Sequence, residues 1–306
     1  MFFRGVITAI LTPFDRRDTV DARALSEHAA WMIGHGVHGL LGAGTVGEGA
    51  TLSRDERRLI CRTLVEAAGG TVPVTMAVSA ERAALSVEFA KDAAEAGAQG
   101  LMVLPPVLYH ADHDELIAFF ATVAAATELP LMIYNSPASS RNDMSPSTIA
   151  EVFSEIENVV AVKECSEDAR RMAAILGATN SRMEVLVGAD DCALEGLCAG
   201  AGGWVSGCSN IAPAECAQLF DLCESGELLA ARALYLRLLP LARLDNHPKL
   251  VQIFKAALDR IGRFGGPVRP PRGLLTEDEV DRLDQALFDL LSDTMQTAKT
   301  LLSRSG

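Results

Sequence analysis

Three polar side chains close otherwise apolar runs, and their chemistry points to imine formation with a keto acid. Lys163 ends the run Val159-Val160-Ala161-Val162-Lys163-Glu164, which reads as a buried strand. Alternation along a strand puts Val159, Ala161 and Lys163 on one face and Val160 and Val162 on the other. With both faces covered, Lys163 points into whatever the strand encloses. Desolvation there disfavours the ammonium and lowers its pKa, which yields an amine nucleophile. The plain alternative is a lysine that marks a strand end and reaches back to water. Tyr134 ends the run 129–134 and shares a face with Met132, leaving Leu131 and Ile133 for the other side. Its hydroxyl can carry protons to and from a carbinolamine, and Thr45, just after the run 39–44, can orient it. Singly, each has an ordinary explanation as a packed tyrosine or a loop-capping hydroxyl.

These residues need a scaffold that brings distant strand ends together. Short apolar runs at 5–11, 39–44, 72–78, 100–104, 129–134, 159–163, 183–188 and 203–206 alternate with helical patterns. Start signals precede the helices: Asp21, Ser53-Arg54-Asp55-Glu56, Ser79-Ala80-Glu81, Asp112, Ser145-Pro146, Ser166-Glu167-Asp168, Asp190-Asp191 and Pro213. Eight β-then-α units of similar size predict an α/β fold, a closed parallel (β/α)8 or TIM barrel over residues 1–225. An open doubly wound sheet fits less well, because no change of spacing marks a second half. Helical patterns at 227–244, 248–261 and 276–292 predict a C-terminal helical extension over 226–306, of the kind that makes subunit contacts in a homo-oligomer. Active sites of such barrels lie at the carboxyl ends of the strands, where Thr45, Tyr134 and Lys163 all fall.

Composition removes several classes. Apolar residues make up 49% of the 306 and charged residues 22%, a profile of packed globular chains. A formal charge of -13 opposes nucleic-acid binding. Seven cysteines with no C-x-x-C pair indicate neither a disulfide framework nor a zinc site. The start Met1-Phe2-Phe3-Arg4-Gly5 lacks a signal-peptide pattern, and no long apolar run suggests a membrane span, so a cytoplasmic protein is expected. Gly42-Ala43-Gly44-Thr45-Val46-Gly47 spells a dinucleotide-binding fingerprint, but Glu48-Gly49-Ala50-Thr51-Leu52 intervenes before the next helix. His110-Ala111-Asp112-His113-Asp114 has metal-like letters where Asp112 serves as a helix cap, so no metal is expected. In Gly188-Ala189-Asp190-Asp191, capping competes with contact to a substrate hydroxyl or amine.

Gly44-Thr45-Val46-Gly47-Glu48, Tyr134-Asn135-Ser136-Pro137 and Val162-Lys163-Glu164, in this order and separation, resemble the signatures of the dihydrodipicolinate synthase / N-acetylneuraminate lyase family. The similarity runs from Gly5-Val6-Ile7-Thr8-Ala9-Ile10-Leu11-Thr12-Pro13-Phe14 to about residue 260. The resemblance implies a barrel with a helical extension, a tetramer or dimer, and no metal or organic cofactor. It implies Lys163 as the Schiff-base residue, Tyr134 as proton carrier, and Thr45 with the Val46 amide on the keto-acid carboxylate. It places Gly188 and Val205 along the pocket, and Asp190 and Ser206 join the expected substrate contacts. Three departures stand out: Val46 replaces a second threonine, Val107-Leu108 a tyrosine pair, and Ser139 an arginine, with Tyr109 and Arg141 two places away. Several local features, including Gly203-Trp204-Val205-Ser206-Gly207 and Leu244-Asp245-Asn246-His247-Pro248-Lys249, are similar to the branch acting on 1-pyrroline-4-hydroxy-2-carboxylate. The expected activity is therefore a deaminase releasing ammonia and 2,5-dioxopentanoate. The alternatives are 4-hydroxy-tetrahydrodipicolinate synthase or a sugar-acid aldolase or dehydratase of the same family. Outside that class stand a nicotinamide-dependent oxidoreductase and a non-catalytic keto-acid sensor.

Overall fold

The computed structural model describes residues 2–304, with side chains described through residue 291. Its strands are β1 (Gly5–Ala9), β2 (Gly39–Gly42), β3 (Val74–Val78), β4 (Gly100–Val103), β5 (Leu131–Asn135), β6 (Val159–Glu164), β7 (Glu184–Val187) and β8 (Gly203–Ser206). Each strand pairs in parallel with the next, and β8 returns to β1 through Gly5↔Gly203 to Thr8↔Ser206. The ring is closed, as the eight repeated units predict. The strands are almost wholly buried because the barrel interior covers one face and the surrounding helices the other. Val162, Ile133, Val185 and Val187 reach zero exposure, each burial stabilising the fold by about 1.5–3 kcal/mol. β1, β2 and β7 stop one or two residues earlier than their apolar runs suggest, where the backbone leaves the ladder to form loops.

Local chemistry sets most helix starts. Ser53 and Asp112 form reciprocal capping boxes with Glu56 and Glu115, at helices Arg54–Ala68 and His113–Ala124. Asp21 and Ser145 cap Ala22–Gly34 and Pro146–Glu155. Two starts fall later than expected. The helix after β3 begins at Ala83, since the Glu81 carboxylate accepts the Leu108 N–H (3.2 Å) instead of capping. The helix after β6 begins at Arg170, since the Ser166 N–H is held by Glu164 Oε1 (2.8 Å).

After helix Pro213–Glu224 the chain is helical: Leu228–Ala242, the short 3-10 turn Arg243–Asn246, Leu250–Arg260 and Glu277–Arg304. The last helix outruns the expected end at 292, as no glycine or proline interrupts positions 293–304; the final two positions of the expected extension lie outside the described residues. Buried Lys255 fastens Leu250–Arg260 to the loop after β2, its Nζ donating to Glu48 Oε1 and to the Pro267 carbonyl, both at 2.7 Å. Glu48 also receives the Arg269 N–H (3.1 Å) and Arg272 Nη1 (3.2 Å). Among the described residues, no helix is long and apolar enough to cross a membrane.

Candidate active site

Strand register brings the expected residues together. Met132 lies opposite Ala161 and Tyr134 opposite Lys163, so β5 and β6 turn the same parity inward. Ala161, small and fully buried, sits in the layer beneath the lysine. Lys163 Nζ stands 4.3 Å from the centre of the Tyr134 ring, within cation–π range. Both residues are buried, Lys163 at 7% exposure and Tyr134 at 5%. They line a cavity of about 230 Å³ at the carboxyl end of the barrel. Its wall includes Thr45, Val46, Gly188 and Val205, and the strap over the mouth adds Asp245, Asn246 and His247. A Cβ at Gly188 would lie 2.9 Å from Lys163 Cε and 2.8 Å from Cys165 Cβ, so the lysine stem requires a bare backbone here.

On the outer face of the same strand ends, Asn135 lies opposite Glu164 and donates Nδ2 to its Oε2 at 3.0 Å. Arg171 pairs with that carboxylate at 3.3 Å. This clamp ties the two strand ends that carry Tyr134 and Lys163. Glu164 and Asn135 were visible in the motifs, but their pairing depends on strand register, which no local pattern discloses.

Two residues expected at the substrate, Asp190 and Ser206, do not line the cavity. Ser206 follows inward-facing Val205 and so turns outward, where its Oγ accepts the Ser209 N–H at 3.0 Å. Asp190 is fully buried and accepts from Trp204 Nε1 (2.9 Å), the Gly207 N–H (3.2 Å) and the Cys208 N–H (2.6 Å). It buttresses the loops after β7 and β8. Arg141 and Tyr109 are likewise absent from the lining, whereas Ser139 is part of it. A second chamber of about 230 Å³ shares Thr45, Tyr134 and Ser139 with the first and extends toward Arg57 and Arg272.

The electrostatics correct one expectation. Burial alone pushes the Lys163 ammonium down, but Tyr134, Cys165, Asp245 and Asp190 outweigh it, and its pKa lies above the ordinary lysine value. Tyr134 and Cys165 exert that pull only as anions; burial pushes the Cys165 thiol up to about 11. Near neutrality the opposing charge that favours the Lys163 ammonium comes from the carboxyl side, with Asp190 contributing. A reading from burial alone could not include carboxyl groups supplied by other loops.

The glycine-rich stretch after β2 leads through Gly49–Thr51, a 3-10 turn, before helix Arg54–Ala68 begins, so it does not open a helix as a dinucleotide loop does. Asp112 is engaged as a helix cap.

The sequence model of the Dihydrodipicolinate synthetase family matches residues 2–289. The chain belongs to that family. Its enzymes are class I lyases, which work through a lysine Schiff base, and this chain is one of them. It is 33% identical over 285 residues to a 4-hydroxy-tetrahydrodipicolinate synthase from Bartonella tribocorum, covering 93% of this chain and 97% of that protein. A solved structure described as a putative dihydrodipicolinate synthetase from Pseudomonas aeruginosa is similar at 32% identity and a TM-score of 0.90, covering 94% of this chain and 99% of that one. Another, the chloride-inhibited dihydrodipicolinate synthase from Acinetobacter baumannii complexed with pyruvate, is similar at 29% identity and a TM-score of 0.89, covering 94% and 98%.

Proposed function

We propose that Lys163 forms the Schiff base, Tyr134 moves the protons, and Thr45 with the Val46 amide holds the substrate carboxylate. The observation that carries this is the stacked Lys163–Tyr134 pair in a closed-ended cavity bordered by Thr45 and Val46. The pyruvate complex of the Acinetobacter relative supports a keto-acid ligand.

For the substrate we infer 1-pyrroline-4-hydroxy-2-carboxylate. Lys163 attacks C2, the ring nitrogen leaves as a primary amine, loss of a C3 proton gives an enamine, and the enamine expels the C4 hydroxyl. A proton shift and hydrolysis at C2 and C5 release 2,5-dioxopentanoate and ammonia. With the carboxylate near Thr45, the distal hydroxyl and the new amine extend along the cavity, whose lining includes Asp245 and Glu167. Acidic groups suit an ammonium. The competing reading, condensation of pyruvate with aspartate semialdehyde, is favoured by the names of the relatives. That acceptor brings a second carboxylate; among the described residues the lining of the Lys163 chamber holds no arginine, and Arg57 and Arg272 of the adjoining chamber already donate to the Ala77 and Gly49 carbonyls and to Glu48. We further propose that the protein acts as a homo-oligomer.

Both reactions are to be run side by side with the purified protein. The expected result is 2,5-dioxopentanoate, followed through a coupled dehydrogenase, with no condensation of pyruvate and aspartate semialdehyde. The reverse pattern overturns the deaminase assignment. Borohydride trapping with pyruvate, read by mass spectrometry, is expected to mark Lys163 and to mark nothing in Lys163→Ala. An unlabelled wild-type protein overturns the Schiff-base assignment itself.

A further inference from the structure

Resting on the deaminase reading, the reaction must break a C–O bond, and hydroxide is a poor leaving group without a proton. The enamine supplies electrons from one side, so an acid is needed at the C4 oxygen, which lies two carbons beyond the imine carbon. The strap between Leu228–Ala242 and Leu250–Arg260 supplies one carboxyl group: Asp245, which borders the cavity.

Asp245 does not stand alone. A Cβ built on Gly207 would lie 2.6 Å from Asp245 Oδ1 and 3.4 Å from Asp190 Oδ2, so two carboxyl groups converge on one bare backbone position. Two like charges facing one position oppose each other's ionisation. Their surroundings decide which keeps the proton. Asp190 accepts three N–H donors, whereas Asp245 meets the charges of Asp190, Asp191 and Lys163. Burial raises both, and Asp245 goes well above the ordinary carboxyl range. With three donors on Asp190, Asp245 is the carboxyl group of the pair whose proton is held more firmly.

We propose that Asp245 is the general acid that protonates the departing C4 hydroxyl. As the C4–O bond breaks, its electron pair takes the Asp245 proton and leaves as water. The enamine pair becomes the C3=C4 bond, and the Nζ=C2 iminium re-forms. Asp245, now a carboxylate, regains a proton from solvent at the mouth. Glu167 also lines the cavity but is exposed to solvent, where water competes for the leaving hydroxyl.

The test uses a leaving group that needs no proton. Wild type and Asp245→Asn are compared on 1-pyrroline-4-hydroxy-2-carboxylate and on its 4-fluoro analogue, with pyruvate trapping as a third measurement. Asparagine preserves the shape of a neutral carboxylic acid. The expected result is a loss of ~10²-fold or more with the hydroxyl compound. Fluoride release and trapping should stay within about threefold of wild type, on the order of unaltered transition-state binding. Equal losses on both compounds, or no loss on either, overturn the assignment. If wild type ignores the pyrroline but dehydrates 4,5-dihydroxy-2-oxopentanoate, the deaminase reading fails while Asp245 is judged by the same variant on that hydroxyl. A wild type that dehydrates neither overturns both.

Discussion

Gly188→Ala tests whether the lysine is held by its backbone surroundings. The added Cβ would stand 2.9 Å from Lys163 Cε, 2.9 Å from the Glu164 carbonyl oxygen and 2.8 Å from Cys165 Cβ. Carbon–carbon contacts settle near ~3.5–4.0 Å, so the overlap is roughly 0.6–1.1 Å. The Glu164 carbonyl cannot yield readily, because it accepts the Gly188 N–H at 2.8 Å and thereby joins β6 to the loop after β7. The mobile partner is the lysine stem, which must swing away from the Tyr134 ring. Overpacking of this kind costs about 1–3 kcal/mol of stability. A displacement near 1 Å at a reacting atom costs ~10²-fold in rate. Urea unfolding should therefore show a folded but modestly weakened protein, and borohydride trapping with pyruvate should slow ~10²-fold. A variant that unfolds at the wild-type denaturant midpoint and traps at the wild-type rate would show that Lys163 is not packed against this backbone.

Tyr134→Phe should still trap pyruvate but ~10²-fold more slowly, measured by quenched-flow mass spectrometry, because the proton carrier is gone while the ring remains. Lys255→Ala removes the closer of the two cations on buried Glu48 and leaves Arg272 at 3.2 Å, so urea unfolding should show a loss of about 1.5–3 kcal/mol, the worth of a hydrogen bond to a charged group. His28, buried against Asn210 Oδ1, is pushed by desolvation from 6.5 to about 4. Its folded pKa is depressed, so the unfolded chain takes the proton first: the contribution is intact above pH 6.5 and is lost as pH falls toward 4, amounting to about 3 kcal/mol. Urea midpoints followed from pH 7 to 4 should fall more steeply in wild type than in His28→Gln, and identical slopes would remove His28 from the account.

The barrel was legible because a strand buried on both faces must be apolar throughout, and eight such runs recur between capped helices. Period-two alternation sufficed to turn Tyr134 and Lys163 inward, while Val205 came from the family resemblance. Alternation from inward Val205 turns Ser206 outward, which is why it is not a substrate contact. Asp190 was beyond such reasoning. It follows the end of β7, where no period applies, and its partner Trp204 comes 14 residues later on β8. The charge environment of Lys163 was illegible for a related reason, since Asp190 comes to it from the loop after β7.

The strap carrying Asp245 shows where family resemblance stops being informative about substrate. Identity of 33% spread over 97% of a relative speaks for the barrel and its lysine, because those positions answer to packing and to a shared imine step. The groups around the distal half of a substrate answer to neither. Val46 and Ser139 leave the β2 and β5 loops without the threonine and arginine common in the family, and Asp245 enters from a segment outside the barrel strands. Glu48 fastens the helix that follows the strap, and the loop after that helix, to the Thr45 loop through Lys255 and Arg272. A substrate contact on the strap can therefore change while the strands keep their register. If Asp245 is the acid for C–O cleavage, transferring an aspartate to the matching strap position of a condensing relative should place a carboxyl group beside an intact imine site, and the diagnostic product is a dehydrated keto acid.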